Sequence, residues 1–289
     1  MTALALLPGI SPLRRLARLC WRRKAASFGA AVTLLVVLAA VFAPLLAHQD
    51  PNEQDILAQL TPPSAEHLLG TDTFGRDVWS RILHGARISL FIGVASIALA
   101  MAIGGLLGLL AGYRGGRTDR IIMSVMDMML SFPSLVMGLL VVAVLGPSMG
   151  NLIIAIAFTA VAPFARIARA PTLAIKQRDF IEAGRALGYS DARLMLRHIL
   201  PNILDEILVL GSLWLATAIR TEASLSFIGL GVRPPTATWG GMIRDGFENM
   251  LDAPWLVIFP SIAILVVMIS LNLLGDGLRD ATDPKLRNE

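Results

Sequence analysis

Charge is scarce in this 289-residue chain. Only 16% of its residues are Asp, Glu, Lys or Arg, against about 25% in an ordinary soluble domain. Beside 55% hydrophobic residues and a mean hydropathy of +0.67, that shortage excludes an intrinsically disordered chain, which needs low hydrophobicity and high charge. It also argues against a soluble enzyme. The single cysteine, Cys20, permits no intrachain disulfide and reads as an incidental small apolar residue. No Gly-x-x-x-x-Gly-Lys-[Ser/Thr] loop occurs, so the chain itself is not expected to hold ATP. Gly229-Leu-Gly231 lacks the third glycine of a dinucleotide fingerprint. The histidines His48, His67, His84 and His198 are scattered, with no two at metal-ligand spacing. They are expected at surface or interfacial positions. No Ser-His-Asp or Cys-His set can be assembled, so a membrane-embedded enzyme lacks its catalytic groups.

Long apolar runs are what the chain does have. A membrane-spanning helix needs about 20 mainly apolar residues to cross a core about 30 Å thick. Five runs qualify: 25–47, 88–113, 121–145 (interrupted only by Asp127), 151–165 and 253–275. A sixth, from Ile203 to about Thr221, carries Asp205 and Glu206 at its start and Arg220 near its end. Gly146-Pro147-Ser148-Met149-Gly150 separates the third and fourth runs, since both proline and glycine punctuate helices. Backbone polar groups in lipid must be paired internally, and no strict alternation suggests a barrel, so the runs are expected to be helices. The first apolar run is 23 residues, longer than the roughly 7–15 of a signal peptide. It therefore reads as an uncleaved span.

Basic residues orient these spans. Six precede the first run (Arg14, Arg15, Arg18, Arg22, Arg23, Lys24) and three follow the second (Arg114, Arg117, Arg120). Seven follow the fourth, from Arg166 to Arg197, and three lie in the tail. With six crossings, 19 of the 25 basic residues fall on one side. Both termini are then cytoplasmic. The isoelectric point near 9.8 thus reflects membrane topology rather than a nucleic-acid surface. The layout is a cytoplasmic segment 1–24, a first span 25–47, an outer loop 48–87, a five-helix core 88–280 and a cytoplasmic tail 281–289. The core carries a cytoplasmic loop 169–202 and an outer loop 222–252.

Within the second span, Gly104, Gly108 and Gly112 recur every fourth residue. They present a smooth strip that lets another helix approach closely. Charges inside spans are costly and become functional candidates. Asp127 could hold a basic partner at a subunit interface or line an aqueous pathway. Arg220 and Glu222 are two residues apart, so they do not share a helix face and are expected to have separate partners.

The cytoplasmic loop is the most informative segment. Asp179-Phe180-Ile181-Glu182 reads as a capping-box variant opening a short helix. Phe180, Ala183, Gly184 and Leu187 fall on one face of it, with Gly188 as its stop. The small Ala183 and Gly184 would admit a partner surface closely. Ser190 is the expected N-cap of a second helix, carrying Arg193 and Arg197 on one face and ending at Leu200-Pro201. Two short helices with an exposed apolar face suggest a docking element or a membrane-skimming hairpin.

This loop resembles the EAA motif of permease subunits in binding-protein-dependent ABC importers. Glu182-Ala183-Gly184, three residues, Gly188, nine residues, then His198 two before Leu200-Pro201 follow its pattern. Gly184 stands where a third alanine is usual, and His198 where isoleucine is. Arg197-His-Ile-Leu-Pro-Asn202 resembles the variant of the peptide-importing subfamily. The segment His67 to Leu90 resembles that preceding the second span in the "C-type" subunit of di- and oligopeptide systems. Ser226-Phe-Ile-Gly-Leu-Gly231 with Pro234-Pro235 and Trp239-Gly240 resembles the same subunit's last outer loop. Asn272 to Asp280 with Asp283-Pro284 resembles its C-terminal signature.

The resemblance implies an all-α membrane protein of six transmembrane helices with the type I ABC importer permease fold. It would pair with a second homologous permease and two ATPase subunits, which bind ATP and Mg²⁺. An extracytoplasmic binding protein would deliver solute, and the chain itself would carry no cofactor, metal or catalytic residue. The helix around Glu182 to Gly188 would be the coupling helix, docking mainly through Phe180, Ala183, Gly184 and Leu187, with Asp179, Arg193, Arg197, Leu200 and Pro201 completing the ATPase-facing loop. Di- or oligopeptides are the implied solutes, with nickel, opines and glutathione open within the family. An ion-coupled secondary transporter is the alternative from another class. It is expected to show internal repeats, and none is visible.

Overall fold

The computed structural model describes residues 24–282, which are helical apart from turns and loops, with no strand among the described residues. The expectations for the N-terminal basic segment, Cys20 and most of the tail lie outside the described residues. Five helices are long and apolar enough to cross a membrane: α1 (Lys24–Val41), α2 (Val78–Arg114), α5 (Met149–Ile175), α7 (Asp191–Ile228) and α9 (Trp255–Thr282). A bent pair, α3 (Gly116–Ser131) and α4 (Ser134–Leu145), supplies the sixth if counted as one crossing. Two short helices stand between spans: α6 (Asp179–Ala186) on the cytoplasmic side and α8 (Trp239–Phe247) on the outer side.

Several boundaries differ from the sequence reading. The run 121–145 is not one helix: it breaks at Phe132-Pro133 and turns by 96°. Proline disfavours helical geometry in the residue before it, and Phe132 is extended at ψ 140°. The helix of the second span begins ten residues earlier than the run, at Val78, where the Asp77 side chain accepts from the Ser80 N–H. The fourth helix runs on to Ile175, so Arg166 and Arg169 belong to a span rather than to a loop. Helix α7 continues past Thr221 to Ile228.

Pro201 does not end the second cytoplasmic helix either. Residues 194–199 widen into a π-helical stretch in which the Leu200 N–H donates to the Met195 carbonyl. A proline ring clashes with the carbonyl four residues back. The wider turn shifts that carbonyl, and α7 passes from the cytoplasmic loop into the membrane as one rod.

The core is built on the α2–α5 contact. A methyl group on Gly104 would lie 2.7 Å from the Phe164 Cβ, one on Gly108 would lie 2.9 Å from the Ala168 Cβ, and one on Gly112 would lie 2.8 Å from the Thr172 Cβ. The glycine strip is therefore a helix-packing face, as expected. Ile92, Leu109, Leu152, Ile156, Phe164 and Ile203 fill the apolar centre around it.

Candidate functional site

Helix α6 stands at the cytoplasmic ends of the spans. Its N-cap is Arg178, whose side chain makes no capping bond, and Asp179 is already the first helical residue. The expected capping box is therefore absent. The acidic residues Asp179 and Glu182 in the first turn and Arg185 in the last still oppose the helix dipole favourably. The C-terminus is closed by a Schellman motif. The Tyr189 N–H donates to the Gly184 carbonyl at 3.0 Å, and the Gly188 N–H to that of Arg185 at 2.9 Å. Gly188 holds the left-handed conformation this needs, at φ +77°.

The two faces of α6 differ sharply. Ile181 is fully buried and Gly184 is buried, while Phe180 and Leu187 are 48% and 72% exposed. A methyl on Gly184 would sit 2.9 Å from Leu194 and 3.2 Å from Tyr189. Gly184 thus admits the subunit's own chain, not a partner's surface, and leaves the expected apolar docking face. Phe180, Ala183 and Leu187 remain exposed, with Glu182 alongside.

The Ser190 side chain caps the next turn, accepting from the Arg193 N–H. Arg193 lies over the Tyr189 ring at 4.0 Å, and His198 stacks on its other neighbourhood at 5.6 Å. This stack accounts for a histidine at position 198, where the resemblance would have isoleucine. The whole element is tied to α2 through Tyr113. Its hydroxyl donates to the Asp191 carboxylate at 2.6 Å, and Arg185 and Lys176 approach its ring at 5.5 and 5.7 Å. Sequence reading missed Tyr113, although it is one of only two tyrosines and follows directly on the glycine strip.

Two ion pairs join α3 to α5. Asp127 meets Arg166 at 2.5 Å, with side chains 60% and 53% exposed, and Asp119 meets Arg169 at 2.5 and 2.6 Å. Arg166, counted in the sequence only as a topological charge, is thus the basic partner of Asp127. Arg220 and Glu222 do part company: Arg220 is exposed, whereas Glu222 is fully buried and accepts from the Ser226 hydroxyl at 2.7 Å. Glu222 lies inside the subunit.

The outer end carries a buried polar cluster within the 67–90 segment, whose spacing gave no sign of these pairings. Asp72 binds Arg76 at 2.7 Å and Arg81 at 3.4 Å, and Arg81 also donates to the Pro51 carbonyl at 3.0 Å. His67 reaches Asp77 at 3.3 Å and is 8% exposed, which corrects its expected surface position. The Trp255 and Trp239 indoles donate to the Thr71 and Ile82 carbonyls. Asp245 of α8 approaches Arg76 at 3.9 Å. Burial pushes its carboxyl above the usual range, and Arg81 and Arg76 pull it back. No group of three His, Cys, Asp or Glu suited to a metal ion occurs among the described residues.

Comparison with known proteins bears on both ends. The family model described as binding-protein-dependent transport system inner membrane component matches residues 104–288. The N-terminal TM domain of oligopeptide transport permease C matches residues 11–63. The chain is 43% identical over 264 residues to the oligopeptide transport system permease protein OppC of Bacillus subtilis, covering 91% of this chain and 87% of that one. It is 41% identical over 279 residues to the dipeptide transport system permease protein DppC of Alkalihalophilus pseudofirmus, covering 96% and 92%. It is 43% identical over 273 residues to the glutathione transport system permease protein GsiD of Pectobacterium atrosepticum, covering 93% and 91%. Among solved structures, a chain of the inward-facing MetNI methionine ABC transporter matches with a TM-score of 0.57 at 18% identity. That match covers 71% of this chain and 98% of the other, and it is a likeness of fold.

Proposed function

The chain belongs to the family of binding-protein-dependent transport system inner membrane components, and from that premise we propose that it is the permease subunit of an ATP-driven importer of di- or oligopeptides or a related small solute such as glutathione. It is a multi-pass protein of the inner membrane, with the fold of ABC importer permeases. A second permease completes the pathway, two ATPase subunits hold ATP and Mg²⁺, and an outer binding protein delivers solute. Family membership leaves the ion-coupled secondary transporter without support.

The observation that carries the coupling role is the divided surface of α6. Its inner face is locked to the spans by Ile181, Gly184 and Leu194, while Phe180 and Leu187 stay open on the cytoplasmic side. An ATPase cleft closing on those two side chains would push a rigid body. Ile181 and the Tyr113–Asp191 bond would pass the displacement to α2 and α7. Glu182, which makes no ion pair among the described residues, is free to meet a basic residue of the ATPase.

Co-expression of the tagged subunit with its permease and ATPase partners tests this reading. The four-part complex is expected to co-purify from membranes, and Leu187→Asp is expected to release the ATPase while the permeases remain together. Retention of the ATPase by that variant would overturn the assignment of α6. A cysteine placed at Ser64 is expected to react with an impermeant thiol reagent from outside, and one at Ser190 only from inside.

A further inference from the structure

The Asp127–Arg166 pair is open to the surroundings at a depth where lipid would be expected. Helix α5 has 27 residues, about 40 Å of helix against a core of about 30 Å. Arg166 lies nine residues from its inner end, about 14 Å. Even with the whole overhang on the cytoplasmic side, Arg166 stays within the apolar layer, and tilting only shortens the overhang. A guanidinium and a carboxylate more than half exposed there are costly to leave against acyl chains.

Three further features share this face. Leu130, Pro163, Arg166, Ile167 and Leu210 line an open recess between α3, α5 and α7, and Asp127 adjoins it through Arg166. Glu206, exposed, lies one turn from Leu210 on the same side of α7. Next to Leu130 comes the 96° break at Phe132-Pro133, and Pro163 leaves the Thr159 carbonyl without its helical donor. Broken backbone at membrane depth is tolerated where it is buried in protein or lines a water-filled cavity. The open valences favour water. The pair is joined through one hydrogen bond, while a guanidinium has five donors and a carboxylate about four acceptor sites. Sealed in a dry subunit contact, the remainder would be left unsatisfied.

We propose that this recess is a hydrated subsite of the solute pathway, in which Asp127 and Arg166 receive the oppositely charged ends of a zwitterionic solute. The assignment of ligand rests on the importer reading above; the hydration of the recess does not.

The test uses the assembled importer in nanodiscs, with Cys20→Ser removing this chain's only thiol. Leu210→Cys is expected to react with a cationic methanethiosulfonate about tenfold faster than Leu35→Cys, placed on α1, because only the former meets water. Millimolar dialanine is expected to slow that reaction, while the same dipeptide blocked at both ends is not. Arg166→Gln is expected to abolish the protection and leave the labelling. Slow labelling of Leu210→Cys, matching Leu35→Cys, would overturn the proposal outright. Fast labelling with equal effects of the free and blocked dipeptides would overturn the role of the ion pair. Failure of the importer reading shows separately, as absence of the ATPase from the purified complex.

Discussion

At the outer end of the subunit, Asp72, Arg76 and Arg81 are each under 10% exposed and satisfy one another within a single chain. At the inner end, Glu182, Arg185, Arg193 and Arg197 lie open, and so do Phe180 and Leu187. The outer cluster anchors loops to helix ends: Arg81 reaches Pro51 and Pro235, and Trp255 reaches Thr71. The inner element is attached along one face only and presents the other. A buried ion pair holds position but is costly to break. An exposed apolar pair contributes little to the isolated fold and is available for association. The outer polar cluster is thus satisfied within the chain, whereas the inner element leaves one face open.

Substitutions on the two sides should therefore fail differently. The largest effect is expected from Asp72→Ala, which leaves Arg76 and Arg81 buried without their carboxylate. Removing one member of a buried pair costs about 3–5 kcal/mol, so the amount of folded subunit in the membrane should fall, as thermal melting of the solubilised protein would register. If melting is unchanged, the outer cluster is not the anchor.

Next comes Gly188→Val. The left-handed conformation costs a residue with a Cβ about 1–2 kcal/mol, and no neighbour lies near enough to clash. Uptake should be lost while the subunit still reaches the membrane. Gly188→Asn, which tolerates that conformation better, should retain most of it. Equal behaviour of the two variants would show that the Schellman turn is not what matters.

Leu187→Asp sharpens the contrast from the other direction. At 72% exposure its effect on stability should stay within about 0.5 kcal/mol, yet solute-stimulated ATP hydrolysis should disappear. The smallest effect on transport is expected from Tyr113→Phe. Losing its bond to Asp191 should cost about 1.5–3 kcal/mol at most, the worth of a charged hydrogen bond, and less with the group near solvent. Uptake should fall partially, with ATPase binding intact.

The number of apolar runs, the glycine strip, the Gly188 stop and the Ser190 cap were all legible in the chain. Each depends on residues within a few positions of one another, where helix period, cap chemistry and backbone desolvation operate. Proline shows where that legibility ends. Pro133 breaks its span, Pro163 and Pro171 sit within α5, and Pro201 is absorbed by a π turn. The local rule is the same for all four, yet the outcomes differ.

Site residues divide in the same way. Glu182 and Gly188 were recognisable from spacing, but the side of α6 that faces outward was not, because Gly184 turns toward Leu194 and Tyr189. Asp127 was recognisable as costly, but its partner lies 39 residues away, and Tyr113 finds Asp191 across 78. By itself the sequence determined that this chain is a membrane-embedded helical protein, which way it is oriented, and where its cytoplasmic loop lies. Those properties follow from segment-by-segment transfer out of water. Only the tertiary structure decided which charges meet, which are buried and which remain open. Such pairings are settled by distances between helices, and no local pattern encodes them.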